Sequence, residues 1–409
     1  MKLQLSYLQE KVIHKAIKIT GSKSETNRSL LLQALFPNVT IENLSNSDDG
    51  EVMQKGLKKS MGEVDIHHAG TAMRFLTAYF ASQQGKEVIL TGSKRMKERP
   101  IKVLVEALTD LGAEIKYVNN EGYPPIKITG KKLNRSKVSL PANISSQYIS
   151  ALLLIAPSLE NGLELELVGK ITSVPYIKMT LALLDQIGVN TQFKGNTIKI
   201  EPKRQVKDTT LTVESDWSSA SYFYSIVALS DVGTKIQLSS YKKDSLQGDS
   251  VLSEIYKDFG VETSFLENKI TIAKIANCKL STVTYDLSNA PDTAQTISVT
   301  CLGLNVGCHL SGLHTLPIKE TDRLAALKTE FEKLGAKAEI DTESLTLEAS
   351  EQIISGVSID TYNDHRMAMA FAPLGLKTKL IINDAGVVSK SYPDFWKDLG
   401  TLGFDIIEM

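Results

Sequence analysis

The chain has 409 residues, 42% of them hydrophobic and 23% charged, with 46 Lys and Arg against 47 Asp and Glu and a formal net charge of −1. These are ordinary globular values that give no bulk electrostatic reason to bind nucleic acid or an acidic membrane, so an anionic partner has to be met by local positive charge. The length exceeds a single hydrophobic core and predicts two or three domains, enough for a deep cleft.

The N-terminal stretch reaches Glu10 and Lys11 before the apolar segment of a signal peptide could form, and no later run is apolar enough to cross a bilayer. The expected location is the cytoplasm. Next comes Gly21-Ser22-Lys23-Ser24-Glu25-Thr26-Asn27-Arg28, ahead of the apolar run Ser29 to Leu32. It ends like a nucleotide-binding P-loop, but Ala16 stands where that motif needs its first glycine, and no G-x-G-x-x-G occurs, so nucleotides are not expected ligands.

Polar residues before a long apolar run recur along the chain. They are Ala69 to Arg74 before Phe75, Ser145 to Gln147 before Tyr148, Asp216 to Ser219 before Ala220, Pro291-Asp292 before Thr293, and Asp364-His365-Arg366 before Met367. Ser, Thr and Asp cap helix N-termini and Pro favours the first helical position. Such a terminus presents unpaired N–H groups and about half a positive charge, which suits an anion. Six converging termini would pool that potential; plain capping is the other reading.

A second pattern also occurs six times: an amphipathic run, an apolar residue, Gly, then alternation. The copies are Leu57 to Ile66, Leu108 to Tyr117, Leu184 to Phe193, Tyr256 to Phe265, Phe331 to Ile340 and Leu399 to Ile407, with Gly62, Gly112, Gly188, Gly260, Gly335 and Gly403. Each reads as a helix stopped by a left-handed glycine and followed by a strand. Their near-even spacing predicts six α/β units in two similar halves.

Lys319-Glu320-Thr321-Asp322-Arg323 precedes a predicted helix over Leu324 to Leu334. If the segment is itself helical, Lys319 and Arg323 share one face with Glu320 between them, an arrangement suited to a polyanionic ligand and a mobile proton. A solvated charge run is the alternative, as it is for Arg95-Met96-Lys97-Glu98-Arg99-Pro100. His67 and His68 are adjacent and so point apart, unlike a metal pair. Cys278, Cys301 and Cys308 lack any Cys-x-x-Cys spacing and are expected to be free core thiols.

Together, GSKSETNR, HAGTAMR, MKERP, SSQYISALL, SVPYI, DWSSASYF, PDTAQT, KETDR, DHRMAMAFA and KSYPDF resemble, in order, the signature segments of the 5-enolpyruvylshikimate-3-phosphate synthase family, from about residue 20 to 397. The resemblance implies a two-domain inside-out α/β barrel, each domain built from three repeated units with helices inside and sheets outside. The implied domains are 20–214 and 1–19 plus 215–409, with the active site in the cleft between them. Carried over, the shikimate 3-phosphate site would be Lys23, Ser24, Arg28, Ser145, Ser146, Ser173, Tyr176, Asp292 and Lys319. The phosphoenolpyruvate site would be Lys23, Gly70, Arg99, Gln147, Glu320, Arg323, Arg366 and Lys390.

Asp292, Glu320 and Lys23 are the implied catalytic residues of an addition–elimination: Asp292 takes the 5-hydroxyl proton, while Glu320 and Lys23 manage protons at C3. Lys319 and Arg323 beside Glu320 favour its carboxylate form, which suits a base better than an acid. No cofactor or metal is expected, because fixed cations do the charge neutralisation, so turnover should survive chelation. The expected partners are the two small-molecule substrates, with glyphosate a candidate inhibitor, no nucleic acid and no membrane, and the chain is expected to act as a monomer. Since the implied ligands divide between the halves, the free form is expected to be open and to close on shikimate 3-phosphate.

In the family, Asn commonly precedes the Ala-Gly-Thr-Ala-Met-Arg segment and Pro follows it; here they are His68 and Phe75, which leaves glyphosate sensitivity open. Two rival functions fit the residues less well. The sister transferase acting on UDP-N-acetylglucosamine usually carries a loop cysteine, absent from Ser93 to Pro100. A non-catalytic RNA-binding repeat protein would need basic stripes interleaved with aromatics, which the chain lacks.

Overall fold

The computed structural model describes residues 1–8, 12–142, 145–169, 171 and 173–409. The chain packs as two units, Gly21–Val213 and Met1–Thr20 with Glu214–Met409.

The first unit carries α1 (Lys23–Leu35), α2 (Asp48–Leu57), α3 (Gly70–Ser82), α4 (Lys102–Asp110), α5 (Ser146–Ile155) and α6 (Val174–Gln186). Among its sheets, Met61–Asp65 runs parallel to Glu87–Thr91, which pairs antiparallel with Ile126–Thr129, itself antiparallel to Glu114–Tyr117. The order of pairings has a simple cause. A parallel pair needs a crossover, here α3, whereas the antiparallel strands close through a short hairpin. Lys137–Pro141, Leu163–Val168, Thr197–Ile200 and Thr191–Lys194 repeat the scheme. The third sheet of this unit has two strands, the parallel pair Val39–Glu42 and Thr209–Thr212.

The second unit carries α7 (Trp217–Leu229), α8 (Leu252–Ile255), α9 (Ala294–Leu304), α10 (Arg323–Lys333), α11 (His365–Phe371) and α12 (Phe395–Thr401). Its three sheets follow the same scheme. In one, Thr282–Asp286 and Gly307–Ser311 form the parallel pair. In the others the N-terminal residues supply strands: His14–Ile17 lies parallel to Lys235–Ser239, and Leu3–Ser6 sits between Leu380–Ile382 and Asp405–Glu408.

Helices form the interior of each unit. On α3 every residue from Gly70 to Ala81 is buried, and on α7 every residue but Ser218. A helix apolar all round has no solvent face to offer and must be core. The strands alternate instead, as in Lys137–Pro141, where only Val138 and Leu140 are buried, so each sheet turns one face inward and one to water. Where two buried helices meet, small hydroxyls spaced four apart satisfy each other: Ser221 with Thr296 at 3.0 Å and Ser225 with Thr300 at 2.8 Å join α7 to α9. Hydrogen-bonded in this way, polar groups in the core escape the cost of an unpaired donor.

All six repeat glycines have positive φ. At Gly260 the demand is double, because φ is 75° and an added Cβ would lie 2.0 Å from the Ala276 carbonyl oxygen. Gly62 corrects the predicted pattern. Here α2 has already ended at Leu57, and Gly62 lies inside the strand Met61–Asp65. Cys301 and Cys308 are buried and Cys278 is half-buried, all three as free thiols. Among the described residues no helix is long and apolar enough to cross a membrane.

Candidate active site

In the first unit the turn before α3 is a hub. His68 Nε2 lies 4.0 Å from Asp49 Oδ1, and the other oxygen of Asp49 lies 3.4 Å from Lys23 Nζ, so α1, α2 and this turn share one carboxylate. Two residues on, Gly70 packs against Arg99. A Cβ on Gly70 would stand 2.7 Å from Arg99 Nη1, closer than Cβ atoms approach a neighbour. Thr71 Oγ1 accepts a hydrogen bond from Gln147 Nε2 at 3.2 Å, which ties the start of α3 to the start of α5. The turn and the start of α3 thus supply three neighbouring contacts: His68 beside the carboxylate that holds Lys23, Gly70 under the Arg99 guanidinium, and Thr71 accepting from the Gln147 amide.

This packing predicts that Gly70→Ala displaces the Arg99 guanidinium. For any anionic substrate that Arg99 contacts, the Michaelis constant is expected to rise by roughly tenfold or more, since a shift of about 1 Å in a binding group can cost up to ~100-fold. Steady-state kinetics checks it; an unchanged constant would separate Arg99 from substrate binding.

Arg28 behaves differently. It is 2% exposed, and its Nε, Nη1 and Nη2 donate to Thr180 Oγ1, the Ser24 carbonyl and Ser150 Oγ at 2.8, 2.8 and 2.9 Å. Its guanidinium lies over the rings of Phe75 and Tyr176, and burial pulls its pKa down to about 10. The arginine thus knits α1, α5 and α6 together. Phe75 serves as its platform. Ser145 caps α5 by accepting from the Gln147 amide, and Ser173 takes the N-cap place of α6 with φ of 53°.

In the second unit the charges converge on Asp292. Its Oδ1 accepts from Arg323 Nη1 at 2.7 Å and lies 3.4 Å from Lys319 Nζ, while its Oδ2 accepts from Arg366 Nη2 at 3.1 Å. Arg323 also donates from Nη2 to Glu320 at 2.8 Å and from Nε to Asp364 at 2.7 Å, so each guanidinium nitrogen meets a carboxylate. Burial opposes the Asp292 charge, but Arg366, Lys319 and Arg323 together more than offset it and hold the carboxyl well below its usual range. The Lys319 pKa is lowered by burial despite Asp292. Lys390 is buried and donates to the Asn363 carbonyl at 2.5 Å.

The segment Lys319 to Asp322 is not helical. Asp322 is the N-cap of α10, accepting from the Ala325 amide, and Lys319 follows a single turn of 3-10 helix in an extended conformation. Lys319 and Arg323 therefore meet by reaching Asp292 from two directions, not by sharing a helix face. Nor does every polar run stand ahead of its helix: α1 begins at Lys23, so Ser24 to Arg28 lie within its first turns, and neither it nor α3 has a side-chain cap. Ser145, Asp216 and Asp364 do cap, by accepting from the amides of Gln147, Ser219 and Arg366.

Two participants, Asp49 and Asp249, carried no signal strong enough to be singled out in the sequence, and Asp364 was legible there as a cap but not as a partner of Arg323. Asp249 is 2% exposed, hydrogen-bonded to Ser218 Oγ, which in turn accepts from Arg366 Nη2 at 3.2 Å. Burial, and then the Asp292 carboxylate, push the Asp249 carboxyl up to about 6. A carboxyl raised in the folded state favours folding below its unfolded pKa of about 3.9 and loses that contribution as pH rises through its folded value. Asp249→Asn is therefore expected to exceed the parent in stability at pH 8 by on the order of 1–3 kcal/mol and to lie close to it at pH 4. Urea unfolding at the two pH values checks this; equal stability at pH 8 would mean Asp249 is compensated there.

A family model described as EPSP synthase (3-phosphoshikimate 1-carboxyvinyltransferase) matches residues 60–399. The chain belongs to the EPSP synthase family. A 3-phosphoshikimate 1-carboxyvinyltransferase of Bacteroides fragilis (strain YCH46) is 45% identical over 398 residues, 96% of each chain. One from Haemophilus influenzae (strain Rd) is 36% identical, covering 93% of this chain and 95% of that one. The fold agrees with that of EPSP synthase from Acinetobacter baumannii, with a TM-score of 0.80 at 20% identity over the full length of both chains. The inside-out α/β architecture expected from the resemblance is the one observed. Of the two departures from the commoner EPSP synthase residues, Phe75 is fully buried beneath Arg28 and His68 stands beside Asp49.

Proposed function

We propose that this chain transfers the enolpyruvyl group of phosphoenolpyruvate to the 5-hydroxyl of shikimate 3-phosphate and releases phosphate. The observation that carries the reading, beside family membership, is the Asp292 carboxylate held among Lys319, Arg323 and Arg366. Polyanionic substrates need several fixed cations, and an alcohol that attacks needs one base among them.

To shikimate 3-phosphate we assign Lys23, Ser24, Arg28, Ser145, Ser146, Ser173, Tyr176, Asp292 and Lys319. To phosphoenolpyruvate we assign Lys23, Gly70, Arg99, Gln147, Glu320, Arg323, Arg366 and Lys390. Planar Arg forks suit its carboxylate and phosphate. In the first step the 5-hydroxyl oxygen bonds to C2 of phosphoenolpyruvate, its proton passes to Asp292, and C3 gains a proton from Lys23 or Glu320. In the second, the tetrahedral intermediate loses a C3 proton to the same group, the C2–C3 double bond re-forms and phosphate leaves with the electrons of its C–O bond.

The geometry supports a reason for Asp292 to wait as a carboxylate and then act as a base. Without ligand it neutralises Arg366 and Lys319. When substrate anions take over those cations, the proton affinity of Asp292 rises, because the charges that depressed it now face other partners. Incubating the purified chain with both substrates and measuring released phosphate tests the function; no phosphate, or release that does not depend on shikimate 3-phosphate, overturns it.

A further inference from the structure

Just before Asp364 the chain places two successive residues in the left-handed region, Tyr362 with φ of 52° and Asn363 with φ of 59°. Neither is glycine. For a bulky side chain this conformation is an outlier that persists only when surrounding contacts over-determine it.

Those contacts come from α10. Tyr362 Oη donates to Glu330 Oε1 at 2.6 Å, the Asp360 amide donates to Glu330 Oε2 at 3.3 Å, and Lys333 Nζ bridges Glu330 and Asp360 at 2.8 and 2.7 Å. Glu330 is fully buried, whereas Tyr362 remains 36% exposed, so the tyrosine is not placed there chiefly to hide its ring. Burial and the Glu330 carboxylate raise the phenol to about 12, which keeps it a hydrogen-bond donor across neutral pH. On the other side of the loop, the Asn363 carbonyl accepts from Lys390 Nζ at 2.5 Å. Asp364 then caps α11 and holds Arg323 Nε at 2.7 Å. One helix thus carries Arg323 at its start and, two turns later, the carboxylate that fixes the loop holding Lys390.

We propose that Glu330 and Tyr362 are positioning residues for the transfer reaction: their hydrogen bond holds Tyr362 and Asn363 left-handed, and the Asn363 carbonyl so placed fixes the Lys390 ammonium. The inference rests on the assignment of Lys390 to phosphoenolpyruvate. Release of the latch lets the carbonyl turn and the ammonium drift, which weakens binding of that substrate without touching shikimate 3-phosphate.

Kinetics on five variants of the full chain, with thermal melts to confirm folding, tests it. Tyr362→Phe removes one hydroxyl and is expected to raise KM for phosphoenolpyruvate about tenfold, with kcat and KM for shikimate 3-phosphate each within about threefold. Tyr362→Gly accepts the left-handed conformation without strain. If backbone accommodation were the only requirement, it would bind like the parent; the latch requires the same rise as in Tyr362→Phe. Glu330→Gln keeps an acceptor and should stay near the parent, whereas Glu330→Ala should match Tyr362→Phe, and this pair decides the matter if the Tyr362 variants do not fold. Lys390→Met separates the two layers. Parental KM in Lys390→Met overturns the Lys390 assignment and the latch with it. A raised KM there, with parental values in folded Tyr362→Phe and Tyr362→Gly, overturns the latch alone.

Discussion

Replacing Asp292 by Asn is expected to lower kcat by at least about a hundredfold while leaving affinity for shikimate 3-phosphate within about tenfold, the usual scale for loss of a general base. The substitution is nearly isosteric and keeps an oxygen for one of the three cations at 2.7 to 3.4 Å. What it removes is the negative charge and the capacity to accept a proton. Arg323 keeps Asp364 and Glu320, so the surrounding cations stay anchored. Removing the anion that competes with substrate should, if anything, strengthen phosphoenolpyruvate binding, so the loss belongs in kcat. Pre-steady-state turnover with calorimetric binding checks both halves; a variant with near-parental kcat would take Asp292 out of the chemistry.

Arg323→Met is expected to cost about 3–5 kcal/mol of stability at pH 7, the scale for breaking a buried ion pair from one side. Arg323 is 2% exposed and Asp364 not at all, so truncating the cation strands a carboxylate with no access to water. Arg323→Lys restores the charge but not the fork that reaches Asp292, Glu320 and Asp364 together, so it should recover part of the loss. The effect has a pH signature. The depressed Asp292 carboxyl contributes stability above its unfolded pKa of about 3.9, and that contribution is lost as pH falls through its folded value. The gap between parent and Arg323→Met should therefore narrow in acid. Both tryptophans, Trp217 and Trp396, lie in the same unit as Arg323, so their fluorescence during urea unfolding reports on it. A difference under about 1 kcal/mol at pH 7 would show that the cluster relaxes around the gap.

Local physics made much of the chain readable. Gly112, Gly188, Gly260, Gly335 and Gly403 end helical stretches because φ between 75° and 106° is open to glycine at little cost. The same logic of backbone satisfaction made Ser145, Asp216 and Asp364 legible as caps. Apolar runs longer than one helical face, as over Ala220 to Leu229, already require a helix buried on all sides. Gly62 misled because a strand can also take a glycine of φ 84°, and sequence spacing does not record that α2 ended at Leu57.

Long-range pairing was the other kind of information. The sequence alone determined the repeat, the polar helix starts and the cation-rich segments, since each depends on residues within a few positions of one another. Only the tertiary structure decided that Asp292, Arg323 and Asp364, from three separate segments, share two hydrogen-bonded ion pairs, and that Lys23 and His68 meet at Asp49. Only it decided that Leu3–Ser6 completes the sheet begun by Leu380–Ile382. Such contacts leave no periodic trace: a salt bridge needs one charge at each end and leaves every residue between them unconstrained, so its partners are chosen by how the helices and sheets pack.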